Sequence, residues 1–174
     1  MIVGSRGSDS RLLLGAGAGA LAAIAARRLL VAGLMLKLRR GVRALNAGDY
    51  RPLLASFADD AVLKFNDGAH RWSGEYHGKT AIEGFLRSFV AAGLTGEIGE
   101  LWIAGAPWRM TLVTRFDDEA RAPDGERIYS NSTMLFARTR WGKIVFQQDF
   151  YEDTVRIGEL DRRLTELGIP PTGA

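Results

Sequence analysis

The chain contains no cysteine. Disulfides, zinc–thiolate centres and thiol catalysis are therefore excluded. Its two histidines, His70 and His77, are too few for a histidine-rich metal site. A dinucleotide fingerprint is missing too. Residues 15–19 alternate glycine with alanine, but the spacing is wrong, no strand precedes them, and no acid follows at roughly 20 residues. No metal and no cofactor is expected. The basic charge has no interleaved aromatics, so a nucleic-acid partner is not expected either.

What is present fits one globular domain with room for a core: 174 residues, 47% hydrophobic and 25% charged. The net charge of +3 hides an asymmetry. Residues 1–48 carry eight Arg/Lys and one Asp, hence +7, and the remainder carries fifteen Arg/Lys against nineteen Asp/Glu, hence −4. Such an arm suits an anionic surface.

The arm is also apolar. Residues 12–26 are small or apolar without interruption; Arg27 and Arg28 follow, then a second apolar run over 29–36, then Lys37, Arg39, Arg40 and Arg43. Three readings stand. A signal peptide would use Ala23-Ile24-Ala25 as its small-residue cleavage site. A span over 12–36 would lose about 5–7 kcal/mol at its two central arginines and recover about 5 from ten Leu, Ile and Val. The third reading is a helix lying on a membrane or on the domain itself. The chain is divided accordingly into an extension (1–27), a domain (28–168) and a tail (169–174). The expected location is the cytoplasm, with the extension meeting the inner face of the membrane.

Apolar positions 30, 31, 34, 38, 42 and 45 recur at helical spacing, and Gly48 ends that helix. Asp49 is read as the N-cap of a short helix over 50–58, with Pro52 in its first turn. A strand over 61–65, a turn at Asn66-Asp67-Gly68 and a returning strand over 71–76 follow. Thr80-Ala81-Ile82-Glu83 has the form of a capping box opening a helix to 92. The period then changes to two, giving strands over 96–104, 108–117, 127–138 and 143–151. A last helix over 153–167 takes Asp153 as N-cap. Helices followed by a run of strands predict an α+β fold with a curved antiparallel sheet and a pocket under its helices.

One residue in the final strand demands a partner. Asp149 lies among β-branched and aromatic neighbours, where an unpaired carboxylate is costly. Val145, Gln147 and Tyr151 share its face, and Arg115 is the expected mate. Phe146 and Phe150 are placed on the opposite face, which suits a dimer interface.

Four stretches carry a resemblance: Ala44-Leu45-Asn46-Ala47-Gly48-Asp49, Phe57-Ala58-Asp59-Asp60-Ala61, Gly78-Lys79-Thr80-Ala81-Ile82 and Gly142-Lys143-Ile144-Val145. Together they resemble the nuclear transport factor 2-like superfamily. The nearer likeness is to its SnoaL-like branch of polyketide cyclases, ketosteroid isomerase and limonene epoxide hydrolase. The resemblance implies a cone-shaped, cystatin-like roll with helices on the concave face, often a homodimer through the convex face. The isomerase's base, tyrosine and acid would fall near Phe65, Gly41 and Met134, none of which is the required type. The epoxide hydrolase's Arg-x-Asp pair resembles Arg115-Phe116-Asp117, and its final-strand aspartate resembles Asp149. The resemblance then implies Asp149, Asp117 and Arg115 as catalytic residues. The water-positioning tyrosine and asparagine of that family fall near Leu63 and Phe65, with Asn66 one residue off register. Substrate contacts are assigned to Tyr151, Gln147, Asn66, Phe65, Leu63 and Trp72. Two functions follow: a cofactor-independent hydrolase, isomerase or cyclase acting on a small apolar oxygenated molecule, or a non-catalytic ligand-binding or interaction domain. They part on whether Arg115, Asp117 and Asp149 reach one enclosed pocket.

Overall fold

The computed structural model describes residues 9–122 and 124–171, with side chains from Leu21 onward. The chain forms two compact units, Met1–Leu36 and Lys37–Ala174. Helix α1 (Asp9–Asn46) supplies the described part of the first unit. It begins well before residue 28, where helical spacing first becomes visible. Its glycines weaken a helix by about 1 kcal/mol each, but the surrounding alanines and leucines are the strongest helix formers. Leu12 to Ala20, on which the signal-peptide and span readings largely rest, lie outside the described side chains. No helix among the described residues is long and apolar enough to cross a membrane.

In the second unit, the last turns of α1 bury Val42 and Leu45. Gly48, at φ +85°, ends the helix where a side chain would strain the backbone. Helix α2 (Arg51–Leu54) is shorter than its sequence pattern suggests. The chain leaves it because Ser56 accepts a hydrogen bond from the backbone N–H of Ile144 and Phe57 pairs with Ile144. Sheet pairing overrides local helix propensity there.

Strands β1 (Phe57–Phe65) and β2 (Gly74–His77) form the hairpin, and helix α3 (Gly78–Ala91) follows directly. The capping box does not form. The helix starts two residues before Thr80, from His77 without a side-chain cap. Glu83 instead accepts a 2.8 Å hydrogen bond from the Tyr50 hydroxyl. Strands β3 (Leu94–Ala106), β4 (Arg109–Arg121), β5 (Arg127–Arg140) and β6 (Lys143–Tyr151) complete a curled, unclosed six-stranded sheet in the order β2-β1-β6-β5-β4-β3. One pairing departs from the antiparallel expectation: β1 and β6 run parallel. The long excursion through α3 and four strands permits this, since a parallel neighbour needs a crossover and not a hairpin.

The inner face is set by β1, where Ala61, Leu63 and Phe65 are buried. The Phe65 ring meets Phe85 of α3 at 5.4 Å. Helix α4 (Thr154–Glu166) is capped by Asp153, whose carboxylate accepts from the N–H groups of Val155 and Arg156. Its buried face is Ile157, Leu160 and Leu164. Arg71, in the β1–β2 connection, ties this helix and the tail to the hairpin. It binds Asp161 and donates to the carbonyls of Ile169 (3.0 Å) and Pro170 (3.2 Å).

Candidate functional site

Residues directly paired across a sheet share a face, and the face alternates along each strand. Leu63 pairs with Gln147, Leu135 with Asp149, Thr133 with Tyr151 and with Phe116, and Asn131 with Asp118. Gln147, Asp149, Tyr151, Thr133 and Asp118 therefore stand together on the inner face with Leu63.

Two of these are acids, and both are buried. Asp149 is 6% exposed and accepts one 2.9 Å hydrogen bond from the Gln147 amide. Burial pushes its carboxyl up to about 7, opposed only by the Gln147 hydrogen bond. Asp118 is 3% exposed, and its Oδ2 accepts from the Tyr151 hydroxyl at 2.9 Å. It too is pushed up to about 7, first by burial; the Tyr151 hydrogen bond lowers it and the nearby Asp149 charge raises it. Burial also moves the Tyr151 and Tyr129 hydroxyls upward, so both remain neutral donors. No cation accompanies either acid among the groups that shift them by hydrogen bonds or charge.

The same interior holds polar atoms without partners. Asp118 Oδ1, Thr133 Oγ1, His70 Nδ1 and Trp72 Nε1 are all buried and make no hydrogen bond. Such atoms normally find a partner. The Phe65 ring joins the acids to the hairpin, lying 5.2 Å from Tyr151 and 5.7 Å from His70. Burial lowers the His70 pKa, which keeps its ring neutral. The set offers acceptors, neutral donors and aromatic walls. That chemistry suits a small, mostly apolar molecule carrying one or two oxygens.

Of the residues expected from sequence, Asp149, Tyr151, Gln147, Phe65, Leu63 and Trp72 are on or beside this inner surface. Arg115 and Asp117 are not. Arg115 pairs with Met134, which pairs in turn with Phe150, so it stands on the outer face, one residue out of phase with Leu135 and Asp149. Its Nε donates to Asp117 Oδ1 at 2.8 Å and its Nη2 to Ser132 at 3.1 Å. The Arg115 and Asp117 side chains are 56% and 49% exposed. The expected Arg115–Asp149 ion pair is therefore not formed, and the three charged groups do not share a pocket. Asn66 falls one residue past β1, half-buried and away from the inner parity. His77 is a surface residue beside Glu75.

Asp118 was concealed in Asp117-Asp118-Glu119, which reads as a solvated strand end. The signal that could have found it is parity. Leu112, Thr114, Phe116 and Ala120 carry the apolar period of β4, and Asp118 falls in phase with them.

A cleft of about 800 Å³ opens elsewhere, with Thr95, Glu97, Asp117, Glu119, Ser130 and Ser132 among its lining residues. These six share the outer face by the pairing of β3, β4 and β5. The cleft also touches Asp118 and Asn131 but neither Asp149 nor Tyr151. Among the described residues, no group of three or more His, Asp or Glu is placed to hold a metal ion.

The family described as SnoaL-like domain matches residues 38–147. No curated protein matches the chain. Among solved structures, an NTF2-like protein of unknown function from Burkholderia pseudomallei is 21% identical with a TM-score of 0.59, over 73% of this chain and 95% of that one. TerC, crystallised with polyporic acid, is 18% identical with a TM-score of 0.56, over 70% and 92%. A putative polyketide cyclase from Xanthomonas campestris is 19% identical with a TM-score of 0.52, over 75% and 96%. At these identities the likeness concerns the fold.

Proposed function

The chain belongs to the SnoaL-like domain family, and on that premise we propose that the inner face carrying Asp149 and Asp118 takes a small apolar oxygenated molecule and moves a proton on it with these two acids. The observation that carries this reading is two carboxyl groups buried on one face with no cation beside them. Buried acids in that state are costly, and burial that sets their pKa near neutrality is the usual preparation of a general acid and base. At neutral pH a pair of this kind holds a proton to give to an ether or carbonyl oxygen and a charge to accept one from water or from a carbon acid. Tyr151 holds Asp118 as a neutral donor, and Gln147 does the same for Asp149. The reaction class is epoxide opening, isomerisation or cyclisation. Arg115 and Asp117 have no part in it.

The test is a panel of terpenoid and polyketide-like epoxides and enones, read by calorimetric binding and by turnover. Asp149→Asn and Asp118→Asn should each lower turnover by about a hundredfold or more, while Arg115→Ala stays within about twofold. Full turnover in both acid variants, or an equal loss in Arg115→Ala, refutes the assignment. Binding without turnover in the wild type selects the second reading, a ligand-binding domain. It is favoured by the four unpartnered polar atoms, which ask for a ligand but not for chemistry. We further infer that the outer face joins two copies, since Phe150, Met134 and Trp102 are exposed on it. Sedimentation of the wild type against Phe150→Glu decides that point.

A further inference from the structure

We propose that α1 docks the protein on an anionic lipid surface, lying along the interface. Two sets of side chains on this helix carry the inference. The first is apolar: Leu21, Ile24, Leu29 and Leu36 are large and exposed, Leu21 at 70% and Leu29 at 75%. The second is basic: Arg28, Lys37, Arg39, Arg40 and Arg43 follow or interrupt them within the same helix. Among the described residues none of these five forms an ion pair. The arginines at 51, 71, 115, 121, 140 and 156 in the folded domain all do. Arg28, Lys37, Arg39, Arg40 and Arg43 thus keep their charge available to an external anionic partner, as those six arginines do not.

The chemistry of that partner follows from having both sets together. Negative headgroups attract the arginines and lysine, and the acyl boundary beneath them accepts the leucines. A nucleic acid would take the charge but leave the leucines in water. A purely apolar groove would take the leucines but strand Arg28 among them. Crossing the bilayer would bring the arginines near the middle of the apolar run into hydrocarbon, whereas a helix in the interface lets their long stems reach up to the headgroups. The charge imbalance agrees in sign: residues 1–48 carry +7 and the rest −4, so the attraction to an anionic surface is concentrated in the stretch that holds the helix.

The test uses the full chain and sucrose-loaded vesicles, either pure phosphatidylcholine or phosphatidylcholine mixed with phosphatidylglycerol. Binding should be strong on the mixed vesicles, weak on the neutral ones, and reversed by salt. Each basic side chain near the surface is worth roughly a fivefold factor. Arg39→Glu with Arg40→Glu should therefore weaken binding roughly tenfold or more, with an unchanged thermal melt. Leu29→Ala should weaken it several-fold. Equal binding to both vesicles, or retention in high salt and alkaline carbonate, would overturn the surface geometry in favour of insertion. Failure to bind either vesicle overturns the proposal outright. So does binding to an oligonucleotide with the same dependence on Arg39 and Arg40 and none on Leu29.

Discussion

Replacing Asp149 by asparagine should make the protein more stable at alkaline pH and flatten its dependence on pH. An aspartate in the unfolded chain titrates near 3.9, whereas Asp149 in the folded protein titrates at about 7. The folded pKa is the higher one. Between these two values the native state keeps a proton that the unfolded state has released, so unfolding sheds a proton and stability falls as pH rises. The stability is fully present below about 3.9, and its loss is complete above about 7. For this one group the fall from about pH 5 to about pH 8 is about 2.5 kcal/mol. Asparagine is nearly the same size and keeps an acceptor for the Gln147 amide, but it has no proton to lose. Asp118 titrates in the same window and is raised by the Asp149 charge, so the wild type loses protons from a coupled pair. The variant removes one of these titrations and lets Asp118 ionise more readily. The assay is urea unfolding at several pH values, accepted where the slope with urea is unchanged. A variant that retains the wild-type fall with pH, or that is the less stable protein at about pH 8, would refute a buried, protonated Asp149.

Two other perturbations follow from the same contacts. Arg71→Ala leaves Asp161 without its guanidinium and frees the carbonyls of Ile169 and Pro170. Breaking a buried pair costs about 3–5 kcal/mol, to be read as a fall in melting temperature of about 10 °C, while Arg71→Lys should recover only part because a lysine has no fork. Tyr151→Phe removes the donor to Asp118. Because that hydrogen bond lowers the Asp118 pKa, its loss should raise the pKa further. The cost, about 1–3 kcal/mol, should be larger above neutrality than at acidic pH, which parallel melts at the two extremes will show.

The fold was more legible than the site, for a physical reason. Helical spacing in residues 30–45, the change to period two after Gly93 and the Asp153 cap are local signals, and they survive into the structure as α1, the four long strands and α4. Register between strands is not local. The sequence places Arg115 and Asp117 on one face of β4, and Gln147, Asp149 and Tyr151 on one face of β6, and both statements hold. It says nothing of how the two strands are phased through β5, and one residue of phase separates an ion pair from two unrelated surfaces. Parity within β4 was available and pointed at Asp118. The charge of its neighbours hid it, because a run of three acids reads as solvated.

That phase also explains why the buried acids are unpaired. Had Arg115 fallen in phase with Asp149, the guanidinium would have lowered the carboxyl far below neutrality and fixed it as a permanent anion. Such a pair stabilises charge but has little proton to offer near pH 7. With the cation on the outer face, the side chains that donate to Asp149 and Asp118 are neutral: Gln147 for the first, Tyr151 and Tyr129 for the second. Burial then dominates, and both titrate where water, ethers and carbonyls can be activated. The arrangement that weakens the domain at alkaline pH is thus the one that equips its interior for proton transfer. The two properties should be lost together: an acid variant that flattens the pH dependence of stability must also silence turnover. If stability flattens and turnover survives, the buried carboxyls are structural and the chemistry lies elsewhere.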